Sequence, residues 1–169
     1  MKKILTSSIL LCVLFLTSCI KNELTVYKDA KVEFDAASWN ANAAGLTYPM
    51  MTRVPTFNAT TPTSQPSLTR TTGAITLRVN LVGAQSSAAT SFDYIVVGAE
   101  TTAVAGSHYT ALSGKGTIPA NSSFGIIDLV ILNPGATTGS KDLVLQIVDN
   151  ATIKASVNYA KVGLRISQL

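Results

Sequence analysis

Few side chains in this 169-residue sequence are placed to do chemistry. The thiols are Cys12, inside the apolar run from Ile4 to Leu16, and Cys19, which follows Leu16-Thr17-Ser18. His108 is the only histidine, so any Ser-His-acid system must use it as base. Ser107 beside it points elsewhere in an extended loop, and no Gly-x-Ser-x-Gly elbow occurs, so His108 reads as a loop residue capping a turn. A glycosidase pair needs two convergent carboxylates, whereas Asp93, Glu100, Asp128 and Asp142 are isolated along the chain. There is no metal-ligand cluster and no phosphate loop, so neither an enzyme nor a cofactor is expected. Trp39, Tyr48 and Tyr109, with Tyr159, are the candidate ligand-binding aromatics, since loops carry function on rigid scaffolds. The plainer role of a lone tryptophan is as core or loop staple.

Lys2 and Lys3, a short apolar run and small residues before Cys19 have the form of an export signal. The run is too short for a membrane span, which takes about 20 apolar residues. Leu16-Thr17-Ser18-Cys19 resembles the bacterial lipobox, Leu-[Ala/Ser/Thr]-[Gly/Ala/Ser]-Cys. The resemblance implies diacylglycerol on the Cys19 thiol, cleavage after Ser18 and acylation of the new amino group. Each buried methylene contributes about 0.8 kcal/mol, so three chains hold a protein firmly on a lipid bilayer. The expected organisation is a signal peptide over 1–18, a polar tether over 19–30 and one domain over 31–169. Ile20 stands where an inner-membrane retention signal would have Asp, which directs the expectation to the bacterial outer membrane, facing the periplasm or the cell surface.

Loss of Lys2 and Lys3 takes two charges from the formal +4, and no later run of Lys or Arg exceeds one residue. Nucleic acid and polybasic membrane contact are excluded as partners. With Cys12 in the signal and Cys19 lipidated, the domain has no thiol, so it depends on apolar burial rather than disulfides.

Alternation of apolar and polar residues marks the elements. Lys31 to Asp35 reads as a first strand, and a long irregular segment follows to Thr72, with an exposed loop over Asn58–Ser67 and an edge strand over Met51–Phe57 interrupted by Pro55. Ile75, Leu77, Val79 and Leu81 share one face of a strand, as do Phe92, Tyr94 and Val96. Gly116–Ser123 reads as a short strand followed by a turn and leads to a strong strand at Phe124–Leu132, with Ile127, Leu129 and Ile131 inward and Ile126 and Val130 on a partly covered outer face. Leu143, Leu145 and Ile147 define the next strand, and Ala160, Val162, Leu164 and Ile166 the last. The pattern predicts an all-β fold, an antiparallel immunoglobulin-like β-sandwich of about seven strands.

The order Phe92-Asp93-Tyr94-Ile95-Val96, Gly106-Ser107-His108-Tyr109, Gly116 to Ser123, Ile126 to Leu132, Lys141 to Val148 and Val162 to Ile166 resembles the Calx-β domain. With the lipobox in front, the chain resembles the small surface lipoproteins of Bacteroidetes that carry such domains. The resemblance implies an immunoglobulin-like sandwich. Calcium-binding members use clustered carboxylates, and Ca²⁺ takes about 6 to 8 oxygen ligands. Here His108 replaces the Asp of Gly-x-Asp-Tyr, and Asn133 to Ser140 contains no acid, leaving only Glu33 and Asp142 to approach one another, so no metal is expected. The function expected is a membrane-anchored, non-catalytic surface module that binds a glycan or a protein, the alternative being a structural or assembly component of an outer-membrane complex.

Overall fold

The computed structural model describes residues 29–57 and 64–169. The expected signal peptide, Cys19, the tether up to residue 28 and residues 58–63 of the expected loop lie outside them. Strand β1 (Lys31–Phe34) runs into a one-turn helix, α1 (Asp35–Trp39), followed by β2 (Met50–Met51), β3 (Ala74–Val82) and β4 (Thr90–Val96). After a 3-10 turn at Gly98–Glu100 come β5 (Lys115–Ile118), β6 (Phe124–Val130), β7 (Ser140–Val148), β8 (Lys154–Ala155) and β9 (Lys161–Ser167).

Alternation decides which side of each strand is buried. Ile75, Leu77, Val79 and Leu81 of β3 point inward while Ala74 and Thr76 face out, and β6 does the same with Ile127 and Leu129 against Phe124, Ile126 and Asp128. Leu129, Leu143, Leu145 and Leu164 are completely buried, each stabilising the fold by about 1.5–3 kcal/mol relative to exposure.

The strands form one continuous nine-stranded sheet in the order β2-β9-β7-β4-β5-β6-β3-β1-β8. It curls over so that β1 meets β7 and β9 across the core, which makes the expected antiparallel sandwich out of a single sheet. The corner is β5. It pairs with β4 from Thr90↔Ile118 to Asp93↔Lys115, but touches β6 in register only at Thr117↔Ile126. Gly125 makes that crossing feasible, because a Cβ there would lie 2.4 Å from the Thr117 carbonyl oxygen.

Several expectations are corrected. The strand count is nine rather than about seven, because β2 and β8 are two-residue strands parallel to β9 and β1, too short for any alternation to announce them. The edge strand expected over Met51–Phe57 shrinks to β2 and a single bridge, Arg53↔Ser67. Asp35–Trp39 is helical rather than irregular, with Ala36 and Ala37 buried and the Ser38 hydroxyl donating to the Asp35 carbonyl at 2.7 Å. The outer face of β6 is open, not covered, with Ile126 47% exposed. The covered outer face belongs instead to β7. There Val144 is fully buried because the Val97–Thr102 segment crosses it, Val97 N–H donating to the Val144 carbonyl and Val144 N–H donating to Thr101 Oγ1.

Candidate functional site

The crossing of β9 by the Tyr48–Met51 segment shapes one outer face of the sandwich. β2 runs parallel to β9, and Gly163 N–H donates to the Pro49 carbonyl at 2.9 Å. The absence of a side chain on Gly163 lets Met50 and Tyr48 lie close on the strand: a Cβ there would stand 2.6 Å from Met50 Sδ and 3.2 Å from the Tyr48 ring. Tyr48 is thereby pressed flat and buried, and its hydroxyl donates to Glu100 Oε2 at 2.5 Å. Lys161 Nζ reaches Glu100 Oε1 at 2.5 Å and lies 4.5 Å from the centre of the Tyr48 ring. Burial, and then the bond to Glu100, push the Tyr48 hydroxyl up to about 12. The Lys161 ammonium, with the Tyr48 hydroxyl second, holds the Glu100 carboxyl below its ordinary value.

This anchored segment closes a tight loop. Ala43 N–H donates to the Tyr48 carbonyl and Leu46 N–H to the Ala43 carbonyl, with Gly45 at φ 76°. Between that loop and the Val157–Lys161 segment runs a groove of about 610 Å³, in the size range of ligand sites. Asn42, Thr47, Gln146 and Asn158 line it, and none of their side chains bonds to another described residue. Tyr159 is 38% exposed at its wall, its carbonyl held by Phe34 N–H at 2.9 Å. Lys161 is the charged member, and Glu100 already neutralises it. The groove therefore presents free amides, one free hydroxyl and one phenol ring, a set that suits a neutral, hydroxyl-rich ligand.

A second, apolar groove of about 510 Å³ lies between β3 and the Val54–Phe57 segment, with Phe34, Leu77 and Val162 among its lining residues. The Arg78 guanidinium stands at its mouth, 3.5 Å from the centre of the Phe57 ring and 4.1 Å from that of Phe124.

The residues singled out from the sequence are dispersed. Trp39 is 36% exposed, its indole N–H donating to Asp35 Oδ2 at 3.0 Å, and it borders a small cleft with Asn40, Pro49 and Met50. Tyr48 and Tyr109 are each only 4% exposed, so neither offers a ring face to a ligand. Tyr48 is trapped over β9, and Tyr109 bridges Ala105 and Ile131, where burial raises its hydroxyl above the ordinary value. His108 caps its loop: Nδ1 accepts from Val104 N–H at 3.1 Å, and its own N–H donates to the Val104 carbonyl. Asp93 pairs with Lys115, Asp142 takes both ends of the Arg165 guanidinium, and Asp128 accepts from the Thr76 hydroxyl. Glu33 is bonded to Ser156 and lies near Asp35 rather than Asp142; burial is the main cause of its raised pKa. Among the described residues no three metal-capable side chains cluster. Asn42, Thr47, Gln146 and Asn158 are not legible in the sequence as a group, because they come from three separate segments.

No curated protein matches the chain. Among solved structures it is similar to the apo form of the Calx CBD1 domain, with 13% identity, a TM-score of 0.54, and coverage of 83% of this chain and 99% of that one. At that identity the likeness establishes the fold, a Calx-β type sandwich. Below a TM-score of 0.5 come CBD12 of CALX1.2, 17% identical at 0.48 over 59% of this chain and 40% of that one, and a protein of Bacteroides ovatus with a provisional carbohydrate-binding name. The latter is 11% identical at a TM-score of 0.42, over 58% of this chain and 32% of that one. Residues 65–166, from just before the Arg53↔Ser67 bridge to the end of β9, match the profile of one family, and the chain belongs to it: Domain of unknown function (DUF4843).

Proposed function

We propose that the protein is a non-catalytic binding module that takes a neutral saccharide in the polar groove. The observation carrying this reading is the convergence of Asn42, Thr47, Gln146 and Asn158, their side chains all without hydrogen-bond partners among the described residues, around the partly exposed ring of Tyr159. Each amide offers a donor and an acceptor side by side, which matches neighbouring hydroxyls on a sugar, while the phenol ring supplies an apolar wall for the sugar's C–H face. Neutralisation of Lys161 by Glu100 disfavours an anionic ligand. The module is held on the bacterial outer membrane by lipid on Cys19, the role that Leu16-Thr17-Ser18-Cys19 supports.

Calorimetric titration with neutral oligosaccharides tests the groove. Asn158→Ala and Gln146→Ala should each weaken binding about tenfold, as loss of a hydrogen bond in a polar site does, with the melting temperature unchanged. Full affinity in both variants, or no binding by any neutral glycan on an array, overturns the reading. The anchor is tested separately: Cys19→Ser should move the protein from the membrane to the soluble fraction, and a variant that stays on the membrane refutes lipidation.

A further inference from the structure

We infer that the edge of β3 left uncovered by the described residues takes a short extended peptide strand bearing an acidic side chain, on a surface separate from the polar groove. β3 pairs with β6 along Ala74–Asn80, but on its other side β1 covers only Val79–Val82. The direction of the main-chain groups follows from two bonds. Leu81 N–H donates to the Ser123 carbonyl, and the Gly73 carbonyl accepts from Ile131 N–H, so odd-numbered positions of this stretch aim at β6. Ala74 and Thr76 therefore aim their N–H and C=O groups the opposite way, where no described residue bonds to them. A row of unpaired main-chain donors and acceptors is a template for one more strand.

Sequence and packing equip that edge for a particular partner. The nearest described segment alongside, Val54–Phe57, is separated from β3 by the apolar groove, whose lining includes the buried Phe34, Leu77 and Val162. A strand laid on Ala74 and Thr76 would alternate, sending one set of side chains toward those residues and the other toward solvent. Arg78 supplies the charge. Its Nε donates to Asn80 Oδ1 at 2.9 Å and its plane is gripped by Phe57 and Phe124, yet no carboxylate among the described residues pairs with it. The acids nearby are otherwise engaged: Asp35 accepts from Trp39 and Asn80, and Asp128 from Thr76. The terminal guanidinium nitrogens are thus a pre-positioned fork for a carboxylate, which two aromatic faces keep from wandering.

The probe is the labelled peptide acetyl-Thr-Val-Asp-Val-Thr-Val-amide, followed by fluorescence anisotropy with the full chain. It should bind saturably, and replacing its Asp by Lys should weaken binding about tenfold. Arg78→Gln should erase that preference, and Thr76→Pro, which removes one edge donor without touching the β6 ladder, should abolish binding. Thermal melting checks that each variant folds. If Thr76→Pro does not, a peptide N-methylated at alternate residues replaces it, since one methylation phase must lose binding and the other keep it. No binding at millimolar peptide, equal affinity for the Asp and Lys peptides, or binding indifferent to both protein variants overturns the proposal. So does sedimentation showing a dimer of this chain that Thr76→Pro dissolves, because the edge then belongs to a second copy.

Discussion

Tyr48→Phe is the most informative single change, because it removes one hydroxyl and leaves the ring in place over β9. At neutral pH the variant loses the hydrogen bond to Glu100, and deletion of the Tyr48 hydroxyl should cost about 1.5 kcal/mol, the low end for bonds to charged partners. A larger signature lies at alkaline pH. The hydroxyl titrates near 10 in the unfolded chain and near 12 in the folded one, so between those values the unfolded state binds fewer protons and stability falls as pH rises. The contribution is fully present below pH 10. Two pH units correspond to about 2.7 kcal/mol, and screening by water around the Glu100 carboxylate reduces this to about 1–1.5 kcal/mol. Urea denaturation of both proteins from pH 8 to 11.5 reads it directly. Tyr109, whose hydroxyl is also raised, is common to both and cancels in the difference. The stability gap between wild type and variant should hold constant to about pH 10 and then close; a gap that stays constant to pH 11.5 would refute the reasoning.

Three further outcomes follow from the packing. Gly125→Ala should destabilise the fold by about 1–3 kcal/mol, because the new methyl meets main chain at the β5–β6 corner, and an unchanged denaturation midpoint would show that the corner yields freely. Thr101→Val strands the buried Val144 N–H, which the hydroxyl oxygen accepts at 3.0 Å; a loss of about 1–3 kcal/mol is expected in urea, with faster hydrogen exchange at Val144. Gln168 is buried with Oε1 lacking a partner among the described residues, its amide nitrogen donating to the Ile166 carbonyl, so Gln168→Met should be neutral or slightly stabilising, and a drop above about 2 kcal/mol would mean the amide holds more than that single bond.

Period-two alternation made β3, β6, β7 and β9 legible, since a strand with one wet face writes its environment into every second residue. Val144 breaks the rule for a reason outside its own strand: the Val97–Thr102 segment lies across it, and nothing in Leu143–Val148 records that visitor. The single curled sheet was equally hidden, because its corner rests on one bridge and one glycine contact. Tyr48 and Tyr109 show the same limit from the functional side. An aromatic residue in a loop has the same identity whether it faces a ligand or the core, and only tertiary contacts with Gly163 and Glu100 decided the matter for Tyr48. The polar groove draws Gln146 from a strand and Asn42 and Asn158 from loops far apart in sequence, so spacing carried no trace of it.

The register of β1 on β3 also sets an orientation. Lys31 lies opposite Val82, with Lys154 on its other side, so the chain joins the sandwich at that end. β3 runs back from Val82 toward Ala74, and six residues at about 3.4 Å each put Thr76 about 20 Å from the point of entry. Lys31 therefore stands at one pole of the domain, and the stretch of β3 that no described residue covers lies toward the other, reachable by a molecule approaching from the far side.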